Sequence, residues 1–290
     1  MTTITSSPAP AAAPALSASR FLVAIGNEVG KGLRHAWAER VQILIELPLF
    51  ISFVLLLSLL LGRGGQIAAG GTLRWPPDPR TTTWLFLGFA VFTFAYLQTV
   101  KMFWRLLGEI QSGTLEQTYL SPLPAWLTIA VGRVVAALVE TAVVVGVVSL
   151  VVALLVGLRL TWRAEALAPL LFAIAGGVGY SLVIAGLTLV WKRVEMLQEL
   201  LTALLMFVSG AILPLRRLPG WVGALSQPVF LTHPIAALRT TLLDGHPIAT
   251  WGTGGWVALT ATAAGWLVCG VLVFAVCNGI ARRTGSLTRY

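Results

Sequence analysis

Residues 127–157 read LTIAVGRVVAALVETAVVVGVVSLVVALLVG, and only Arg133 and Glu140 carry charge among them. A helix crosses the hydrocarbon core of a bilayer with about 20 consecutive apolar residues. A water-facing helix of that length would show a polar stripe, and this one has none. The stretch therefore predicts a membrane-spanning helix. Similar runs recur near 41–61, 83–104, 167–191, 196–213 and 255–280, which makes six spans.

The rest of the composition agrees. Of 290 residues, 57% are hydrophobic and 11% charged, against about 25% charged in soluble domains. Mean hydropathy is +0.86. The net charge of +9 comes with basic residues at the ends of apolar runs, where they set orientation. No basic helix or aromatic-basic platform is present, so nucleic acid is not a predicted partner. With both termini inside, twelve Lys and Arg fall on the cytoplasmic side and eight outside. The pairs Lys192-Arg193 and Arg282-Arg283 sit right at span ends. Cys269 and Cys277, eight residues apart in one run, read as packing residues; on one helix they lie about 12 Å apart, too far for a disulfide.

The predicted fold class is thus all-α, a polytopic membrane protein with six transmembrane helices. Residues 1–19, rich in Ala, Pro, Ser and Thr, read as a disordered cytoplasmic tail, and 20–290 as one transmembrane domain. An amphipathic interfacial helix is predicted over 20–41, with Phe21, Ile25, Val29, Leu33, Trp37 and Val41 recurring every fourth residue. Asn27, Lys31, Arg34 and His35 face away from that stripe. A basic amphipathic helix beside a span lies along lipid headgroups, or packs on a partner.

Two stretches break the generic pattern. In the cytoplasmic segment 105–125, Gly113 ends one helix and Thr114 opens another, with Gln117 completing a capping box. Ser121-Pro122 then starts the next helix. The result is a short helix with stops at both ends, able to move as a lever. The second stretch, 214–254, carries Pro or Gly every few residues, preceded by Ser209-Gly210. It reads as an extracytoplasmic re-entrant or short-helix segment between spans 5 and 6, since irregular backbone at membrane depth needs cover from protein or water.

Together these stretches resemble the permease subunits of type-2 ATP-binding-cassette exporters. The matching residues are Glu109, Gly113-Thr114-Leu115-Glu116 and Ser121-Pro122 after the second span. Beyond the fifth they are Ser209-Gly210, Pro214, Leu218-Pro219-Gly220-Trp221, Pro234 and Leu238-Arg239. Pro48 in the first span fits as well, and the likeness runs over roughly 20–285. It implies a segment of Glu109, Gly113, Thr114, Leu115, Glu116 and Gln117 that couples to a separate ATPase. It also implies an extracytoplasmic gate containing Ser209, Gly210, Pro214, Pro219 and Trp221. The implied partners are a nucleotide-binding ATPase subunit, a second permease (identical or a paralogue) and membrane lipid. ATP and magnesium would sit on the ATPase, leaving no cofactor on this chain. The location implied is the bacterial cytoplasmic membrane. The residues agree on one point: no Gly-x-x-x-x-Gly-Lys-Ser/Thr phosphate loop occurs in the sequence.

Glu140, some thirteen residues into the third span, is a carboxylate at membrane depth and a candidate for the transport pathway by that placement. Arg133, about 10 Å away along the helix, reaches it only when extended. Phe92 and Tyr96, within the Phe-rich second span, are candidates for lining a path for a hydrophobic or amphipathic cargo. Trp84 and Trp104 bracket that span as interface anchors. An ion- or proton-coupled transporter built on Glu140 is the alternative. An intramembrane enzyme is a further one, with His233, His246 and Asp244 as its only conceivable metal ligands.

Overall fold

A computed structural model describes residues 18–38, 40–61, 78–114, 131–191 and 194–284. All regular structure among them is helical. Helix α1 spans Ala18–Ala38, α2 Arg40–Leu61, α3 Pro79–Gln111, α4 Arg133–Val156, α5 Leu167–Val190 and α6 Glu195–Val208. Two short helices follow, α7 Gly220–Ser226 and α8 Thr232–Leu238, and then the long α9, Gly252–Thr284. By length and composition α3, α4, α5 and α9 can each cross a membrane. The apolar part of α2, Pro48–Leu60, is shorter, and α6, with 14 residues, reaches only about 21 Å. The predicted tail 1–19 lies outside the described residues except Ala18 and Ser19, which already belong to α1.

Helix α3 is the central post. Of its most apolar window 72% is buried, against 28% for α4 and 22% for α9. It packs on α2, α4, α5 and α8. Its start is fixed by Asp78, whose carboxylate accepts the backbone N–H of Thr81 at 2.9 Å and the Thr81 hydroxyl at 2.8 Å. Pro79, which has no N–H to satisfy, takes the first helical position. Hydrogen bonds from Thr81, the backbone one foremost, hold the Asp78 carboxyl below its ordinary pKa. At the other end Gly113 adopts a left-handed φ of 69°, which glycine tolerates without strain. The 33 residues between extend about 50 Å, longer at both ends than the predicted 83–104.

The broadest packing is α5 on α9. Gly179 and Gly270 meet there with main chain against main chain: a methyl group on either would overlap the opposite backbone. Small residues that let helices approach are the usual means of packing where lipid offers no hydrophobic drive. Tyr180, Phe230 and Trp266 close one side of this seam, with ring centroids 5.7–5.8 Å apart. The Trp266 indole N–H donates to the Pro228 carbonyl at 2.7 Å.

The predicted end of the fifth span is corrected. The fifth span was read as 196–213, yet α6 stops at Val208 because Gly210 turns left-handed at φ 74°. Ala211 and Ile212 are buried as non-helical chain instead. Helix α1 covers most of the predicted 20–41 but ends at Ala38, leaving Val41 in α2, and it packs on α4 and α2. Ile25 and Val29 are partly covered, while Leu33 and Trp37 of the same stripe stay exposed.

Candidate functional site

At the Gly113 end of α3, three helices are braced by charge. Lys101, Arg105 and Glu109 recur every fourth residue and form one stripe of α3. Helix α4 runs the opposite way, so Glu140 faces Lys101 and Arg105 while Arg133 faces Glu109. Glu140 pairs with both Lys101 and Arg105. Arg133 pairs with Glu109, whose other oxygen takes Lys31 of α1 at 3.3 Å. The Glu140 side chain is 2% exposed and that of Arg133 5%. Four cations thus surround two carboxylates at the base of α1, α3 and α4. Buried charges are tolerated when paired and hydrogen-bonded, and removing one partner is what destabilises.

Glu140 finds its partners on α3 rather than at Arg133, two turns earlier on its own helix, and it sits beside the last third of α3. Of the predicted coupling residues, Glu109 is part of the brace and Gly113 supplies the break. The Thr114 hydroxyl lies 2.9 Å from that of Ser112. Leu115, Glu116 and Gln117 lie outside the described residues, as do Ser121 and Pro122.

Phe92 and Tyr96 are not part of that cluster. Nine residues separate Phe92 from Lys101, half a turn about the helix. Phe92 stacks on Tyr96 at 6.1 Å and touches Phe89, which meets Phe50 and Phe53 of α2. The aromatic ladder therefore faces α2 and the charges face α4, so the three candidate pathway residues form two separate groups.

The opposite end of the molecule is held by Arg239, which follows α8 directly. Its Nε donates to the Trp84 carbonyl at 3.1 Å and its terminal nitrogens to those of Gly210 and Ala211 at 2.9 and 2.8 Å. The guanidinium also lies over the Trp84 ring, 3.4 Å from the centroid. Trp84 is therefore a platform for Arg239 rather than a plain interface anchor. Gly88 makes the space: a methyl group there would overlap both the guanidinium and the Ala211 carbonyl. One side chain thus ties the start of α3, the end of α6 and the short-helix segment together. Of the predicted gate residues, Ser209 is buried and Gly210 belongs to this latch. Pro214 precedes a single turn of 3-10 helix. Pro219 precedes α7, and Trp221 projects from it, 67% exposed. Asp244 pairs with Arg80 at 3.1 Å, and His233 sits 3.1 Å from the Gln227 carbonyl. Among the described residues no metal-binding cluster forms.

Sequence reasoning missed Lys101 and Arg105 as the partners of Glu140. The signal was available: two cations one turn apart near the end of one span, facing a carboxylate near the start of the next. It also noted Arg239 only as part of a pattern, because three main-chain acceptors leave no mark in side-chain identity.

No curated protein matches the chain. The family model for ABC-2 type transporters matches residues 31–243, from the middle of α1 through the Arg239 latch. With most of the chain matched, and with apolar helices long enough to cross a bilayer, this protein belongs to the ABC-2 type transporter family and is a multi-pass membrane component of that kind of transporter.

Proposed function

We propose that the chain is the permease half of an ATP-driven exporter. In this reading a separate nucleotide-binding subunit hydrolyses ATP with magnesium, and two permeases, identical or paralogous, enclose the path. The cargo is hydrophobic or amphipathic. The location is a bacterial cytoplasmic membrane with both termini inside. The observation that carries the reading is the break at Ser112-Gly113, where α3 ends in a left-handed turn. The charge brace fixes the three helices beside that break, so a push on the segment after Gly113 is delivered to α1, α3 and α4 as one body. Glu140, engaged by two cations, serves as a strut in that body, which favours this reading over an ion-coupled transporter.

The test is purification of the tagged chain in mild detergent with identification of what comes with it. A stoichiometric soluble ATPase, lost on Glu116→Arg, is the expected result. An intact chain that recruits no ATPase, in a host that carries its neighbouring genes, would remove the exporter reading.

A further inference from the structure

A cavity of about 570 Å³ opens between α3, α4 and α5 at the Arg239 end of the molecule. Phe86, Ala90 and Phe94 wall it on α3, and Leu170 on α5; Leu238 and Leu242 floor it. Its lining is almost wholly apolar: the Ser149 hydroxyl is spent on the Val145 carbonyl at 2.7 Å. A cavity with such walls has no partners for water and stays dry or takes hydrocarbon. It lies against α4, whose apolar face is largely uncovered, so membrane acyl chains have direct access.

The rim is chemically different. Arg163 borders the cavity with its Nε buried and without a hydrogen-bond partner among the described residues. Arg159, on the same loop, is exposed. The nearby acids are committed elsewhere: Glu165 accepts the Ile248 N–H at 2.7 Å, and Asp244 holds Arg80. Trp162, 86% exposed, stands beside Arg163, as an aromatic at the headgroup level does. A guanidinium matches a phosphate through paired N–H donors.

We propose that this cavity binds an anionic glycerophospholipid, one acyl chain in the apolar slot and the headgroup phosphate on Arg163. The site is distinct from the charge brace at the other end of α3 and is independent of the exporter reading. The experiment is native mass spectrometry of the purified full-length chain, titrated with phosphatidylglycerol or phosphatidylcholine of the same acyl chains. Phosphatidylglycerol should be retained several-fold more. Arg163→Gln should abolish that preference, Arg163→Lys should keep part of it, and Ala90→Phe should lower retention of both lipids by filling the slot. Arg283→Gln, a cation on α9, should leave the preference unchanged. Equal retention of the two lipids by the wild-type chain would overturn the proposal. So would a preference lost equally in Arg283→Gln, which would mean diffuse attraction, or one untouched by both Arg163→Gln and Ala90→Phe. Because ATP-driven transport is not read, failure of the exporter reading leaves this result interpretable.

Discussion

Replacing Glu140 with Gln removes the buried carboxylate on which the partly buried Lys101 and Arg105 converge. Breaking a buried ion pair from one side costs about 3–5 kcal/mol. The Glu140→Gln protein should therefore unfold at markedly lower temperature in detergent, and pairing it with Lys101→Met should recover part of the loss. An unchanged melting temperature would show that the brace contributes nothing. Arg239→Lys keeps the charge but lacks the fork that spans three carbonyls. Each buried carbonyl left without a donor costs about 1–3 kcal/mol, so this substitution should also lower the melting temperature, and a stability equal to wild type would mean water replaces the guanidinium. At this scale the sequence was only half legible. It named Glu140 as a residue needing explanation, because a carboxylate inside an apolar run is conspicuous. It did not name the partners, because the pairing of Lys101 with Glu140 is seen only once the two helices are set antiparallel. Phe92 and Tyr96 were grouped with Glu140 for the same lack: the face a residue presents to a neighbour depends on which neighbour arrives.

Helices themselves were read more fully, since apolar run length is a local property. The spans of α4, α5 and α9 lie close to where hydropathy put them, and Gly113 was recognised as a stop because its residue type announces a left-handed turn. Gly113→Ala forces an L-residue into that turn and should cost about 1–2 kcal/mol. If the segment beyond is a lever, transport per ATP should fall further than stability does, and equal losses would leave Gly113 a structural stop only. The start of α3 offers a pH test. Asp78 has a depressed pKa, so its cap stabilises fully above the pKa it has when unfolded and loses that contribution as pH falls through the folded value. Asp78→Ala should cost about 1 kcal/mol at neutral pH, and the gap from wild type should close in acid. A gap independent of pH would mean the carboxylate is not the cap. The end of α6 was misjudged because Ala211, Ile212 and Leu213 are apolar enough to continue a span. What stops them is the left-handed turn at Gly210, after which Arg239, almost thirty residues on, takes up the carbonyls of 210 and 211.

For the molecule as a whole, burial is uneven. Helix α3 is enclosed, while α4 and α9 keep most of their apolar surface uncovered. In a bilayer that surface meets lipid or a second copy. If two permeases assemble, the protein mass in the purified particle, with detergent subtracted, should be twice 30.9 kDa before any ATPase is added. A particle holding one chain under conditions where the ATPase binds would exclude the two-permease arrangement. The overall plan, a helical membrane protein with short helices after α6, was readable from the chain. Hydropathy counts spans and Pro/Gly spacing marks breaks. How the two ends are fastened was not, since ion pairs and main-chain contacts are properties of packing.

The Arg239 latch bears on how the chain can evolve. Its acceptors are all backbone oxygens, which every residue carries, so the bonds themselves place no demand on side-chain chemistry at 84, 210 or 211. The demand falls instead on the guanidinium at 239, the Trp84 ring beneath it, the left-handed φ of Gly210 and the empty space at Gly88. Among descendants of this sequence Gly88 should be held even where the residue at 239 has shrunk, because a bulkier side chain there would still meet the Ala211 carbonyl.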